Sequence, residues 1–218
     1  MFRLILSLIS VLIIVCKSFA SNEFVTRKYT TLDGLSQNDV QCIYQDSKGF
    51  IWLATNDGLN RFDGYEFKVY GYQSNGFNSN LIVCIDEDSH GNLWIGTSAG
   101  LYCYRNGKIV RHFKSDSSKL PEGNVYEIYF DSSHKGWICT ESGICIWDPS
   151  SESLKNDVFP EGFVHKEKIR MIYETSDHQL YFLPDKGELF VSDLTMSHFS
   201  RLTPGTLLDG KSLMAVVE

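Results

Sequence analysis

The stretch IYQDSKGFIWLATNDGL, residues 43–59, recurs along the chain and decides the fold. Three further copies follow it: IDEDSHGNLWIGTSAGL (85–101), IYFDSSHKGWICTESGI (128–144) and the diverged IYETSDHQLYFLPDKGEL (172–189). Each copy carries one aligned aromatic residue, and these residues are Trp52, Trp94, Trp137 and Tyr181. They lie 42, 43 and 44 residues apart. A period of roughly 40 to 50 residues, with short strands and turn residues, is typical of β-propeller blades, each of which is a four-stranded sheet.

Two columns of β-branched residues precede each aromatic residue. Twelve positions before it lie Val40, Ile82, Val125 and Ile169, and nine positions before it lie Ile43, Ile85, Ile128 and Ile172. This pattern predicts a buried inner strand. Because one repeat cannot bury both faces of its sheet, these columns and the Trp column are expected to pack against neighbouring blades rather than to contact a ligand.

Turn residues occupy fixed positions on either side of the aromatic residue. Six positions before it the first three copies have Asp46, Asp88 and Asp131, whose side chains are predicted to cap backbone N–H groups in a turn. Six positions after it all four copies have glycine, namely Gly58, Gly100, Gly143 and Gly187. A glycine at this position predicts a tight hairpin with a positive φ angle.

The repeats divide the chain into four complete four-stranded blades and the start of a fifth. The predicted blades are residues 32–75, 76–119, 120–160 and 161–202, and the fifth begins at 203–218. Residues 21–31 are rich in aromatic and β-branched side chains, and we expect them to form the outermost strand of the last blade in a complete ring. The predicted fold is therefore an all-β, incomplete and open propeller.

The first 20 residues have the pattern of a cleavable signal peptide. A basic start at Arg3 precedes 12 mostly apolar residues, and the small residues Ser18 and Ala20 follow. The apolar run is too short for a membrane helix, which needs roughly 20 residues. A lipid-modified Cys16 is the disfavoured alternative, because Val15 before it is bulky. The sequence thus predicts an exported protein.

Charge and cysteine content exclude several classes of site. The net charge of −7 disfavours nucleic acid as a partner. The five cysteines after the predicted signal include no C-x-x-C pair and no regularly spaced histidine, so neither a zinc site nor any other cofactor is predicted. A disulfide between Cys139 and Cys145 remains open, although a hairpin turn between them would direct their side chains to opposite faces.

The repeat V-x-x-I-x-x-D-x-x-G-x-I-W-[IL]-[AG]-T-x-x-G-L, with DGLSQNDV (33–40) before the first strand, resembles the two-component regulator propeller repeat. The resemblance implies the periplasmic sensor region of a hybrid two-component histidine kinase. In such proteins a β-sandwich, an inner-membrane helix, and kinase and receiver domains follow the propellers, and the full-length protein is expected to dimerise. It also implies glycan-derived oligosaccharides as signals and polysaccharide-utilisation genes as targets.

The chain departs from that family pattern because it contains no kinase histidine motif and no receiver domain. We therefore expect it to be the N-terminal piece of a longer sensor. Histidine kinase activity is implied for the family and not for these residues, so no catalytic residue and no enzymatic activity is predicted for this chain.

The loops that lead into the inner strands contain the candidate ligand-binding residues Asn38, Asp39, Asn80 and Asn124. Amides and carboxylates suit the hydrogen bonds of sugar hydroxyls, although ordinary turn formation is an alternative explanation for them. A propeller hydrolase or lyase and a passive protein-interaction scaffold are the alternative functions. Cleavage of a glycan would indicate an enzyme, and a melting temperature unchanged by glycans would indicate a scaffold.

Overall fold

The structure is a computed structural model that describes residues 26–71, 76–115, 119–156, 168–186 and 189–202. The predicted signal peptide, Gly187 and the predicted start of a fifth blade lie outside these ranges. Within them the chain forms 16 strands, arranged as four separate four-stranded antiparallel sheets, and no α-helix. In this part of the chain no helix is long and apolar enough to cross a membrane.

Each sheet is a meander in which consecutive strands pair. Blade one contains β1 (Val40–Gln45), β2 (Ile51–Thr55), β3 (Gly58–Phe62) and β4 (Phe67–Tyr70). Blade two contains β5 (Ile82–Glu87), β6 (Leu93–Thr97), β7 (Gly100–Arg105) and β8 (Lys108–Lys114). Blade three contains β9 (Val125–Phe130), β10 (Gly136–Thr140), β11 (Ile144–Asp148) and β12 (Ser153–Lys155). Blade four contains β13 (Ile169–Glu174), β14 (Gln179–Pro184), β15 (Leu189–Asp193) and β16 (Phe199–Leu202).

The blades pack face to face in chain order, with one hydrophobic core between each neighbouring pair. In the first core, Trp52 and Leu59 of blade one meet Ile82, Ile85 and Ile95 of blade two. Equivalent cores join blade two to blade three and blade three to blade four. No comparable packing joins the described strands of blade one to those of blade four. The prediction of an open, all-β propeller array is confirmed.

Burial of the isoleucine column depends on the neighbouring blade. Ile85, Ile128 and Ile172 are 5%, 4% and 3% exposed, as predicted, but Ile43 is 66% exposed. The prediction of a buried inner strand is therefore wrong for Ile43. This side of each sheet packs on the preceding blade, and no described blade precedes the first. At the other end, Tyr181 is only half-buried because its side of blade four has no described neighbour.

The glycine column adopts the predicted backbone geometry where it is described. Gly58, Gly100 and Gly143 have φ angles of +115°, +135° and +156°. A Cβ atom on Gly100 would lie 2.1 Å from the carbonyl oxygen of Phe113, so a side chain at this position is excluded by the neighbouring strand as well as by the backbone angle. The hairpin between the second and third strands therefore depends on glycine.

The segment before blade one contacts the outer hairpin of that blade. Thr31–Asp33 form one turn of 3-10 helix, and the Tyr29 ring packs against Phe62 and Phe67 with centroid distances of 4.9 and 5.7 Å. Residues 26–30 form no strand. Their predicted role as the closing strand of a complete ring involves a blade outside the described residues, and it stays a prediction.

The five described cysteines are all free. Cys84, Cys103, Cys139 and Cys145 are buried, and Cys42 is half-buried. Cys139 pairs in register with Ile144 rather than with Cys145, so the two thiols flank the hairpin without facing each other. They act as small core side chains, which leaves the disulfide considered above unformed in this structure.

Candidate functional site

The strand order gives each blade two distinct edges. At the top edge lie the loops leading into the inner strands, residues 36–39, 78–81 and 122–124, together with the turns between the second and third strands. At the bottom edge lie the turns between the first and second strands and between the third and fourth strands. All four predicted ligand-binding residues are at the top edge.

Asn38 and Asp39 form hydrogen bonds within the first blade and its leading segment. The Asn38 Oδ1 atom accepts the backbone N–H of Thr31 at 3.0 Å, and the Asp39 Oδ2 atom accepts the side-chain amide of Asn56 at 2.8 Å. Both side chains are exposed. Asn38 thus fixes the segment before the blade, whereas Asp39 orients an amide on the adjoining hairpin turn.

Asn80 connects two blades, and Asn124 stays within one. The side-chain amide of Asn80 donates to Asp57 Oδ1 at 2.8 Å, and the backbone carbonyl oxygen of Asn80 accepts the backbone N–H of Gly58 at 2.7 Å. Asn124 donates to the Tyr126 hydroxyl at 3.4 Å. Among the described residues no hydrogen bond joins the four predicted positions to one another. Their role in ligand binding stays a prediction.

The top edge of blades one and two carries two amide–carboxylate pairs, Asn56 with Asp39 and Asn80 with Asp57. Each carboxylate uses one oxygen for its amide, and the second oxygen of Asp39 and of Asp57 has no partner within the described residues. A carboxylate oxygen accepts hydrogen bonds from hydroxyl groups, and the amide fixes its orientation. This arrangement can bind a polar, hydroxyl-bearing ligand. No group of acidic, histidine or cysteine side chains in the described ranges has the arrangement of a metal site.

The structure also shows a bond that the sequence analysis missed. The indole N–H of Trp52 donates to Asp46 at 2.7 Å, and Trp94 and Trp137 donate to Asp88 and Asp131 at 2.9 and 2.8 Å. The aspartate therefore caps its turn and satisfies the only polar atom of the buried tryptophan. Two features of the sequence could have predicted this bond: the spacing of six residues is constant, and both partners are replaced together in blade four, by Thr175 and Tyr181.

Two half-buried carboxyl groups lie on the inner strands. Burial raises the pKa of Asp86 to about 6, and burial together with the charge of Asp86 raises the pKa of Glu127 to about 8. Each carboxyl accepts a backbone N–H of the next blade, Asp86 that of Phe130 at 2.9 Å and Glu127 that of Ile172. They join neighbouring blades where the inner strands meet, and the sequence pattern gave no sign of either role.

Clefts open at the bottom edge between successive blades. The cleft between blades one and two has a volume of about 270 Å³ and includes Arg61 and Lys68. The cleft between blades two and three has a volume of about 170 Å³ and includes Arg105 and Arg111. In both clefts the Asp–Trp pair described above forms part of the wall.

Four stacked four-stranded meanders with repeated Trp, Asp and Gly positions define a β-propeller repeat protein. Residues 34–57 and 76–99 match the family model of the two-component regulator propeller. Blades one and two therefore contain two-component regulator propeller repeats, as the resemblance predicted.

Two relatives support this assignment. Over 63 residues the chain is 51% identical to the histidine kinase P4 of Formosa agariphila, a match that covers 29% of this chain and 4% of that protein. The extracellular domain of a B. thetaiotaomicron protein described as a hybrid two-component system is 26% identical, with a TM-score of 0.67, over 82% of this chain and 26% of that chain. The chain thus resembles extracellular sensor domains of hybrid two-component systems and spans a small part of these relatives.

Propeller structures of other functions are similar in fold alone. Virginiamycin B lyase from Staphylococcus aureus is 18% identical, with a TM-score of 0.59, over 76% of this chain and 56% of the lyase. At this identity the likeness shows only that blades stack in the same way.

Proposed function

We propose that this chain is the ligand-recognition part of a periplasmic sensor region that binds oligosaccharides released from glycans. In the full-length protein, binding would be transmitted across the inner membrane, through a dimer, to kinase domains that control polysaccharide-utilisation genes. The match to two-component regulator propeller repeats supports the sensor class. The expected signal peptide supports export.

The observation that carries the ligand class is the pair of oriented carboxylates at the top edge. Asp39 lies in the loop leading into blade one and Asp57 lies in the first hairpin turn of that blade, beside blade two; each is held by an asparagine amide. Sugars present several hydroxyl groups at fixed spacing, and each hydroxyl can donate to one such oxygen. Two oriented acceptors along the top edge of blade one, the second held by an amide from blade two, therefore suit an oligosaccharide better than an apolar ligand.

A binding experiment on the complete extracellular region tests this proposal. A panel of neutral oligosaccharides would be titrated into the wild type and into the double variant Asp39→Ala/Asp57→Ala, and heat of binding and melting temperature would be recorded. We expect at least one sugar to raise the wild-type melting temperature, because a ligand that binds only the folded state stabilises it. The double variant should bind at least about tenfold more weakly, since two hydrogen bonds to charged acceptors are lost.

Glu66→Ala is the matched control, because Glu66 is an exposed acid of the same blade at its bottom edge. Its binding should equal that of the wild type. If the double variant binds every active sugar as well as Glu66→Ala does, the top edge does not contact the ligand. If a sugar is cleaved during the titration, the protein is an enzyme and not a sensor.

An induction assay tests the predicted asparagines in cells. Replacing Asn38, Asn80 and Asn124 together by alanine in the full-length sensor should weaken induction, and induction is compared at equal protein level because these side chains also form hydrogen bonds within the fold. Unchanged induction in this triple variant would contradict sugar recognition by these three side chains.

A further inference from the structure

The cleft between blades one and two has the size and lining of a small-molecule site. Phe50, Arg61 and Lys68 contribute from blade one, and Tyr104 and Asn106 contribute from blade two. Its volume of about 270 Å³ is near the lower end, about 300 Å³, of typical ligand pockets. A ligand the size of one sugar ring or smaller would fit.

Arg61 occupies a position that is apolar in the other three blades. The residues paired with the aromatic column in those blades are Cys103, Ile146 and Val191, of which Cys103 and Ile146 are 1% and 5% exposed. A charged side chain has therefore replaced a core residue. The Arg61 guanidinium carbon lies 4.3 Å from the centre of the Phe50 ring, and the Arg61 Nε atom is buried without a hydrogen-bond partner among the described residues. A buried donor without an acceptor destabilises a protein, so this position has a reason other than stability.

The charges around Arg61 strengthen this argument. Lys68 lies directly opposite Arg61 in the register of β3 and β4, and like charges in that arrangement repel. Lys48 lines the same cleft. The one carboxylate in the lining, Asp46, accepts the backbone N–H groups of Lys48 and Phe50 and the indole N–H of Trp52. Within the described ranges none of the three cations forms an ion pair.

Asp63 is the other acid close to Arg61, and it does not neutralise the cleft. Its carboxylate accepts the backbone N–H groups of Tyr65 and Glu66, both at 2.9 Å. These two bonds, more than the charge of Arg61, lower the pKa of Asp63. Asp63 thus stabilises its own exposed turn, and the cleft keeps an excess of positive charge in a chain whose net charge is −7.

In the corresponding cleft between blades two and three, the positively charged side chains have acceptors within the protein. Arg111, which aligns with Lys68, forms an ion pair with Glu152 at 2.6 Å. Arg105 donates to Asn92 at 2.5 Å. The cations of that cleft therefore have acceptors within the protein, whereas those of the first cleft do not.

We propose that the cleft between blades one and two binds the oxyanion group of a small solute, either a carboxylate or a sulfate, with the Arg61 guanidinium as its principal donor. Arginine presents paired N–H groups that match such an oxyanion, and these charge-assisted bonds are the strong ones. Lys48 and Lys68 supply the remaining positive charge, and the rings of Phe50 and Tyr104 form apolar walls. The site is at the edge opposite to the proposed sugar contact and does not depend on it.

Thermal unfolding and calorimetry of the chain with three probes test the proposal. The probes are sodium sulfate, sodium galacturonate and neutral galactose, at ionic strength matched with sodium chloride. We expect sulfate, galacturonate or both to raise the melting temperature by roughly 3 °C at about ten times the dissociation constant. A response to both means that the oxyanion alone is recognised, and a response to one identifies its carrier. If neither anion acts, or if galactose acts as strongly, the proposal is wrong.

Arg61→Ile separates binding from packing, because isoleucine is the residue that blade three has at this position. The variant should lose at least about tenfold in anion affinity. Without anion it should melt at the same temperature as the wild type or higher, because the repulsion of Lys68 and the unpaired donor are removed. A lower melting temperature with undiminished anion binding would show that Arg61 has a packing role only.

Three further variants complete the design. Arg61→Cys, the residue of blade two, replaces the isoleucine variant if that variant does not fold. Arg61→Lys keeps the positive charge but not the paired N–H groups, so it should retain part of the anion affinity. Arg111→Ile removes a cation that is already paired in the neighbouring cleft, so its anion response should equal that of the wild type. Loss of the response in Arg111→Ile as well would reveal a general charge effect and would overturn the assignment to Arg61.

Discussion

Replacing Asp131 by alanine should lower the free energy of unfolding by roughly 2–4 kcal/mol, because two buried or half-buried donors lose their acceptor. Asp131 is 3% exposed and accepts the indole N–H of Trp137 at 2.8 Å and the backbone N–H of Lys135 at 3.0 Å. An unsatisfied buried donor costs about 1–3 kcal/mol. The Ser133 hydroxyl, which also donates to Asp131, is exposed and can turn to water.

A double-mutant cycle isolates the bond to the indole. Trp137→Phe removes the donor and keeps an aromatic ring, so the variants Asp131→Ala, Trp137→Phe and their combination should show a coupling of about 1–2 kcal/mol in urea unfolding of dilute protein. Thr175→Ala is the control, because blade four has neither the aspartate nor the tryptophan. It should lower the free energy of unfolding clearly less than Asp131→Ala does. If the two changes in blade three add within about 0.5 kcal/mol, the Asp–Trp bond does not couple turn and core.

Three further predictions concern the ends, the acids and the core. The isolated chain should self-associate through the two end faces that no described blade covers. Sedimentation should show less association for Ile43→Asp, with unchanged free energy of unfolding. Ile85→Asp, in the same column, should instead unfold the chain, because it buries a charge. Glu127 has an ordinary pKa of 4.5 that burial and the charge of Asp86 raise to about 8, so the folded state retains a proton that the unfolded state releases. The free energy of unfolding should therefore fall as the pH rises from about 4.5 to 8, and Glu127→Gln should flatten this dependence in urea titrations. Trp94→Ala should lower the free energy of unfolding by roughly 3–5 kcal/mol, because it opens a cavity in the core. A lower protein level in cells would be the measured result.

Much of the fold could be predicted from the sequence because periodicity records what every blade has in common. Strands and hairpins recur every 42 to 44 residues, and in blades one to three the glycine turns have the predicted positive φ angle. The prediction failed where a position depends on a neighbour and not on the repeat. Ile43 has the same sequence environment as Ile85, yet it is 66% exposed because no described blade covers it.

The candidate sites were less predictable, since they depend on departures from the repeat. Asn80 was chosen for its loop, and only the structure shows that it holds Asp57 of the preceding blade. Arg61 breaks an apolar column, a signal that is present in the sequence, but its unpaired Nε atom and the opposing Lys68 become evident only when strand register and burial are known. Hydrogen bonds between blades cannot be derived from spacing within one blade.

The two faces of each blade are chemically different, and this gives the array a direction. The tryptophan side of one sheet meets the isoleucine side of the next, so the two end faces that no described blade covers, marked by Ile43 and Tyr181, are unlike and complementary. Two copies that reproduce the native contact must therefore join head to tail and not about a two-fold axis. Such a contact leaves another pair of free faces after every addition. Association of this kind would produce polymers that lengthen with concentration, and only closure of a ring would stop their growth.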